Sequence, residues 1–150
     1  MTYKEVKGDL FASDAEILVH CISADFALGA GIAKTFRDKY GVRNELFRRY
    51  PANNWNGHGY CLYTIGEKNV RDNARVVANL VTKERYWHKP TYDTLRSALV
   101  SLYNNLGTRK SIAMPVIGCG LDRLEWSKVT AMIKEVFSTA DVDITVYRLN

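Results

Sequence analysis

The sequence has little that would mark a membrane, secreted or metal-binding protein. No apolar run approaches the roughly 18 residues that a membrane span needs, and the first residues lack the apolar core of a signal peptide. The three cysteines, Cys21, Cys61 and Cys119, do not have metal-ligand spacing. An odd cysteine count without a leader favours reduced thiols. We therefore expect a cytoplasmic protein (or a nuclear one in a eukaryote), no membrane partner, no metal and no cofactor.

Several catalytic motifs are also missing. There is no P-loop consensus and no Gly-x-Ser-x-Gly elbow. Cys119 and Arg123 stand too close together for a cysteine-phosphatase loop, so Cys119 is interpreted as a small buried residue in a turn. His20 falls within an apolar run and is expected to be a hydrogen-bonded core residue. The chemistry must therefore come from other residues.

The size and charge of the chain indicate a small globular protein. At 150 residues with 47% hydrophobic residues, the chain fits one domain spanning 1–150, which we expect to be a monomer. Its formal net charge of +5 favours anionic partners such as nucleotides. Because acidic residues are scattered among the basic ones, a basic solvated surface is the alternative explanation.

Strand and helix patterns alternate along the chain. Ile17–Ser23 is a continuous apolar run, typical of a central strand covered on both faces. Two strands joined by the polar residues 66–73 predict an antiparallel pair. Strands are predicted at 6–11, 17–23, 60–65, 76–81, 112–117 and 142–147, and helices through 36–39 and over 43–50, 92–106 and 126–137. The predicted fold class is α/β, with a central mixed, mostly parallel sheet sandwiched between helices.

Two of the predicted strands lead through a glycine turn into a helix. One turn contains Gly118 and Gly120, and the other contains Gly29 and Gly31. Such turns direct backbone N–H groups into a concavity that suits a phosphate, and a Cβ would keep the ligand away. Two of them can hold a diphosphate from opposite sides. The alternative is a pair of ordinary strand-to-helix turns.

Three charged residues follow predicted strands or turns. Lys83 can act as a nucleophile if it is desolvated, or it can be an ordinary solvated lysine. Asp122 can move a proton or hold a ribose hydroxyl, or it can stabilise a helix terminus. Asp9 can accept a hydrogen bond from an adenine amino group, or it can form a turn. In the basic, aromatic segment 82–90, Tyr86 and Trp87 are expected to pack on the domain edge.

Several segments together resemble the macro domain family. They are Gly8–Phe11, His20–Asp25, Gly29–Ala33 and Met114–Leu124, with Thr82-Lys83 and 88–92 as further matches. The resemblance is to the branch that contains ADP-ribose protein glycohydrolases and ADP-ribose 1″-phosphate phosphatases. It implies a three-layer α/β/α fold. It also implies that the partner is ADP-ribose or an ADP-ribosylated protein, acetyl ester or nucleic acid.

The resemblance also implies roles for particular residues. Lys83 would be the nucleophile on the distal ribose, and Asp122 the acid/base. Asp9 and Leu10 would line the adenosine end with Ser23 nearby, and Leu149 would close that side. Two loops would surround the diphosphate and the distal ribose, formed by Gly29, Ala30, Gly31 and Ile32 and by Val116, Ile117, Gly118, Cys119, Gly120 and Leu121.

The chain departs from the common macro-domain hydrolases at one motif. His20-Cys21-Ile22-Ser23 stands where those enzymes carry Asn-Ala-Ala-Asn, so their water-activating mechanism is not expected here. The leading hypothesis is a hydrolase that removes ADP-ribose from acidic side chains, acetyl esters and modified DNA bases. The alternatives are an ADP-ribose 1″-phosphate phosphatase and a non-catalytic ADP-ribose reader.

Overall fold

The computed structural model describes residues 1–68, 74–118 and 122–149. Within these ranges, six strands form one sheet and four α-helices cover it. In chain order the elements are β1 (Thr2–Lys7), β2 (Ile17–Ser23), α1 (Gly31–Tyr40), α2 (Val42–Arg49), β3 (Tyr60–Lys68), β4 (Ala74–Lys83), α3 (Tyr92–Asn104), β5 (Ser111–Met114), α4 (Trp126–Val136) and β6 (Asp143–Arg148). None of the helices in the described ranges is both long and apolar enough to cross a bilayer.

The sheet has the mixed character that the sequence predicts. Its strand order is β1-β6-β5-β2-β4-β3. All neighbouring pairs are parallel except β3 with β4, which is the predicted antiparallel pair. The carboxyl ends of five strands therefore lie at one edge of the sheet, which we call the carboxyl edge.

The strand β2 lies at the centre of the molecule, as its apolar run predicts. Six of its seven residues are buried, and Cys21 is partly buried. One face of the sheet packs its side chains with those of α3 and α4, as in the cluster around Val19 and Leu99. The other face packs with α1 and α2, as in the cluster around Leu18 and Phe36. The three-layer α/β/α architecture is confirmed.

Helix α3 shows how local sequence produces an element. Thr91 caps the helix by accepting a hydrogen bond from the backbone N–H of Thr94 at 3.1 Å, and Thr94 Oγ1 accepts the N–H of Thr91 in return. The predicted apolar stripe is buried through Leu95, Ala98, Leu99 and Leu102. Gly107 follows the helix with a φ of 61°.

Several predicted strand boundaries are wrong; β4, for example, runs over Ala74–Lys83 instead of 76–81. β1 lies at Thr2–Lys7 instead of 6–11, and residues 10–12 form a 3₁₀ turn capped by Asp9. β5 ends at Met114 instead of continuing to 117, because Pro115 has no N–H for the ladder. β3 continues to Lys68, into the predicted connection 66–73, whose remaining residues 69–73 lie outside the described ranges.

Candidate active site

Two adjoining cavities open at the carboxyl edge, with volumes of about 760 and 680 Å³. Gly31 and Ile32 line both of them. The first cavity is also lined by Gly8, Asp9, Leu10, Phe11, Thr35, Pro115, Val116, Tyr147, Arg148 and Leu149. The second is also lined by Cys21, Ile22, Ser23, Ala27, Leu28, Gly29, Ala30, Ala33, Lys83, Tyr86, Trp87, Lys89 and Asp122. An elongated ligand can therefore span both cavities across the start of α1.

The first cavity contains the residues predicted for the adenosine end. Asp9 Oδ1 accepts the backbone N–H of Phe11 at 3.0 Å, which fixes the carboxyl group at the start of the 3₁₀ turn. Leu10 is buried, whereas Leu149 is 81% exposed at the rim. The sequence interpretation missed Phe11 and Tyr147, two aromatic residues near strand ends whose positions offered a signal for stacking.

The junction of the two cavities is the N-terminus of α1. Its N-cap residue, Ala30, provides no side-chain hydrogen bond, and the first turn contains no acidic residue. The N–H groups at a helix start carry partial positive charge and favour an anion. Gly31 has a φ of 59°, and a Cβ placed on it would meet no atom within 4 Å, so this backbone is open to a ligand.

The loop before α1 is held in an unusual conformation. Phe26 and Leu28 have φ values of 54° and 44°, in the left-handed region, although both are buried. That conformation costs about 1–2 kcal/mol for each residue with a Cβ. Asp25 offsets part of this cost, because its Oδ1 accepts Ser23 Oγ–H at 2.5 Å and the Ala27 N–H at 3.2 Å.

Lys83 and Asp122 meet in the second cavity. Lys83 Nζ lies 3.0 Å from Asp122 Oδ1, and the two side chains are only 16% and 18% exposed. Lys83 ends β4 and is fixed to the end of β2 by a 2.9 Å hydrogen bond from the Ala24 N–H to its carbonyl. Two residues beyond Asp122, the Leu124 N–H donates to the Gly118 carbonyl at 2.8 Å.

The structure separates the other predicted site residues. Val116 lines the first cavity with Asp9 and Leu10, whereas Ser23, which was expected near those two residues, lines the second cavity with Lys83. Ile117 is 3% exposed and packs in the core, and Gly118 is buried; neither lines either of these two cavities. Gly29, Ala30, Gly31 and Ile32 line the second cavity, and Gly31 and Ile32 also line the first. Cys119, Gly120 and Leu121 lie outside the described residues.

His20 and Cys61 line neither of the two cavities. Burial lowers the pKa of His20 to about 4, so its ring is neutral at pH 7. His20 Nε2 donates to Asn79 Oδ1 at 2.6 Å, but its Nδ1 has no hydrogen-bond partner among the described residues, so the predicted satisfaction of this histidine is only half met. Burial raises the pKa of Cys61 to about 12, which keeps that thiol protonated.

The segment after β4 differs from its prediction. Tyr86 and Trp87 were expected to pack on the domain edge, but each is 63% exposed and lines the second cavity. Their sequence signal was their place in a basic segment directly after a strand that ends at the carboxyl edge. No group of three or more metal-ligating side chains comes together in the part of the chain that the structure describes.

These features define a three-layer α/β domain with a ligand site at the carboxyl edge of its sheet. The chain belongs to the macro domain family, whose model, described as "Macro domain", matches residues 19–133. Among curated relatives, the ADP-ribose glycohydrolase OARD1 of Bos taurus is 43% identical over 148 residues, which cover 96% of this chain and 90% of the relative.

Solved structures share the fold. The macrodomain of Mycobacterium tuberculosis DarG matches with a TM-score of 0.81 at 21% identity, covering 97% of each chain. Thermosipho africanus DarTG, solved in complex with ADP-ribose, matches with a TM-score of 0.77 at 21% identity, covering 98% of this chain and 41% of that one. At these identities the likeness concerns the arrangement of helices and strands.

Proposed function

We propose that this chain is an ADP-ribosyl hydrolase that releases ADP-ribose from ester-type conjugates, including acidic side chains and O-acetyl-ADP-ribose. Two kinds of similarity support this. The bovine relative with 43% identity is named an ADP-ribose glycohydrolase, and a structure with the same fold was solved with ADP-ribose. In the proposed pose, adenosine occupies the first cavity, the diphosphate meets the N-terminus of α1, and the distal ribose enters the second cavity.

The observation that carries the proposal is the Lys83–Asp122 pair. Binding an anion such as ADP-ribose requires cations and N–H donors, and a carboxylate in the same cavity opposes it. Asp122 nevertheless lies 3.0 Å from Lys83 Nζ inside the cavity. A carboxylate beside an amine is useful when a proton must be moved, because it can accept the proton that the amine loses before it attacks.

The reaction proceeds in two steps that these residues can support. Lys83 Nζ gives a proton to Asp122 and attacks C1″ of the distal ribose. The bond from C1″ to the ester oxygen breaks, its electron pair leaves with the carboxylate, and Asp122 passes its newly gained proton to that leaving group, so Asp122 is ionised again. Water then adds to C1″ while Asp122 accepts its proton, and the C1″–N bond breaks to release ADP-ribose and the free amine.

Product analysis with two substrates tests this function. Wild-type protein should release ADP-ribose from an ester-linked ADP-ribosyl peptide. Lys83→Ala should lower the rate on the order of a thousandfold or more, because the covalent step is lost. The same variant should still bind ADP-ribose in calorimetry. Lys110→Ala is the matched control, because Lys110 also pairs with an aspartate, Asp141 at 3.2 Å, but at the opposite end of β5.

The second substrate, ADP-ribose 1″-phosphate, distinguishes the alternatives. Phosphate release that does not depend on Lys83, without peptide turnover, would assign the chain to the phosphatases. Binding of ADP-ribose without turnover of either substrate would make it a reader. Full peptide turnover by Lys83→Ala would show that Lys83 is not the nucleophile.

A further inference from the structure

The proposed pose leaves one part of the second cavity for the group that ADP-ribose is attached to. Gly31 and Ile32 mark the junction with the first cavity, and the distal ribose lies beside Lys83 and Asp122. Tyr86 and Trp87 line the second cavity but not the first. The leaving group is attached to C1″, which Lys83 attacks. In this pose the leaving group therefore extends past Lys83 toward the rings of Tyr86 and Trp87. This placement rests on the proposed function.

The rings of Tyr86 and Trp87 are not packed into the core. Each side chain is 63% exposed, the largest exposure of any aromatic residue in the described ranges. Their mutual contact is edge to face, with centroids 5.0 Å apart and ring planes at 85°. Trp87 also meets the exposed His88 at 5.3 Å. Large aromatic surface left in water at the mouth of a cavity is typical of a binding surface.

The segment that carries the rings is fixed despite its exposure. The Tyr86 N–H donates to Asp25 Oδ2 at 3.0 Å, which joins it to the loop before α1. Arg85 donates to the side chain of Asn53, and its N–H donates to His88 Nδ1 at 3.2 Å. The His88 N–H returns a bond to the Arg85 carbonyl at 3.0 Å. The rings are therefore held in place before a substrate arrives, which reduces the entropy cost of stacking.

The charge around the rings suits a polyanion. Between Thr82 and Pro90 the chain carries Lys83, Arg85 and Lys89 against Glu84. Asp122 pairs with Lys83, and Asp25 bonds the Tyr86 N–H, so Arg85 and Lys89 are the cations of this segment that lie outside the Lys83–Asp122 pair. Flat aromatic surface combined with cations is the arrangement with which proteins hold single-stranded nucleic acid, stacking on the bases and attracting the phosphates. A conjugate on an aspartate or glutamate side chain offers neither a flat ring nor a phosphate backbone.

We propose that Tyr86 and Trp87 are specificity-determining residues that stack on a nucleobase of the leaving group. They would make the enzyme favour ADP-ribosylated single-stranded nucleic acid over ester-linked peptides. The rings act on the leaving group only, so the affinity for free ADP-ribose does not depend on them. Trp87 provides the larger stacking face and Tyr86 supports it from the side.

Paired kinetics test the proposal. The variant Tyr86→Ala/Trp87→Ala should lose about tenfold or more in kcat/KM on an oligonucleotide ADP-ribosylated on one base. The same variant should stay within about twofold on an ester-linked ADP-ribosyl peptide. Trp87→Phe, which keeps a flat ring, should retain most of the oligonucleotide activity. Ile65→Ala is the control, because Ile65 is a 44% exposed apolar residue on β3 that lines neither cavity.

A binding measurement keeps this test separate from that of the proposed function. In a Lys83→Ala background, the double variant should weaken binding of the modified oligonucleotide about tenfold without changing the Kd of ADP-ribose. Such a loss of oligonucleotide binding would support the rings as a stacking surface even if the wild-type protein turned over neither substrate. Absence of turnover would overturn only the proposed hydrolase activity. Equal losses on both substrates would mean that the rings cover the distal ribose. No loss on the oligonucleotide would also overturn the proposal.

Discussion

Gly29 and Gly118 are both glycines in predicted phosphate turns, but the structure gives them different tasks. A Cβ on Gly29 would meet only the Ala27 carbonyl oxygen, at 3.9 Å. Gly118 has a φ of 74°, and its Cβ would meet Leu124 at 3.0 Å and Leu95 at 3.2 Å. The missing side chain at Gly118 therefore serves the backbone turn and the core. At Gly29 it leaves room at the second cavity.

Gly29→Ala should accordingly weaken ADP-ribose binding and leave the fold intact. If the diphosphate lies against this backbone, the added methyl group should reduce affinity on the order of tenfold or more, because it holds the ligand away from the N–H donors. Calorimetric titration with ADP-ribose measures the affinity. The melting temperature should change little, since the methyl group meets only one atom at ordinary contact distance.

Gly118→Ala serves as the contrasting variant. It should lower the free energy of unfolding by about 1–3 kcal/mol through its positive φ and its contact with Leu124. The folded Gly118→Ala protein should bind ADP-ribose with an affinity closer to that of the wild type than Gly29→Ala does. If Gly29→Ala bound ADP-ribose with wild-type affinity, the diphosphate would not lie on this loop.

At the scale of elements, Asp25 connects two loops that the function needs together. Its Oδ1 holds the loop before α1 through Ser23 and Ala27, and its Oδ2 accepts the Tyr86 N–H. One carboxylate thus connects the predicted phosphate site to the segment that follows Lys83. The sequence places Asp25 and Tyr86 61 residues apart.

Asp25→Asn should separate these two tasks. The amide keeps one oxygen for Ser23 and Ala27 but turns N–H groups toward the Tyr86 N–H. The lost bond should cost about 1–2 kcal/mol of local stability. Hydrogen exchange at the Tyr86 amide should therefore speed up about five- to thirtyfold.

Two outcomes complete that experiment. Asp14→Asn, at an exposed aspartate near the start of β2, should leave exchange at Tyr86 unchanged. Unaltered exchange in Asp25→Asn would mean that the segment after β4 is held by its other bonds, above all by Arg85 to Asn53.

Elements were predictable from sequence where burial dictated the pattern. β2 has the predicted bounds because a strand covered on both faces must be apolar throughout. The bounds of β1 were predicted wrongly, because only Tyr3 and Val6 are partly buried in this edge strand. The sequence of such a strand resembles that of a polar loop. Tyr86 and Trp87 were misplaced because side-chain chemistry alone does not decide whether a loop residue packs or faces a cavity.

At the scale of the whole molecule, the strand order creates the candidate site. β2 lies between β4 and β5, so the residues after β4 and β5 can meet across the end of β2. This brings Lys83 and Asp122 to 3.0 Å although they are 39 residues apart. Sequence patterns identify strands but not their order. The residue types of the site could therefore be predicted, while the contact between them required the fold.

The same central strand carries a polar network inside the molecule. Asn79 Nδ2 donates to Thr64 Oγ1 at 3.0 Å, and Asn79 Oδ1 accepts the His20 Nε2–H at 2.6 Å. The His20 ring also stacks on Phe36 with centroids 4.0 Å apart, which joins the sheet to α1. Since burial lowers the pKa of His20 to about 4, protonation would place a charge inside the core.

This histidine should make the stability of the fold depend on pH. An unfolded histidine has a pKa of about 6.5, so below that value the unfolded chain binds more protons than the folded one. The contribution of His20 to the free energy of unfolding is complete above pH 6.5 and is lost as the pH falls toward the folded pKa of about 4. The loss is roughly 3 kcal/mol in total and roughly 2 kcal/mol by pH 5. Urea unfolding at pH 7.5 and pH 5 measures the loss. His20→Gln can still donate to Asn79 but does not titrate, so it should be less stable at pH 7.5 and lose less between the two values. Equal losses in both proteins would assign the acid sensitivity to other groups and leave His20 a packing residue only.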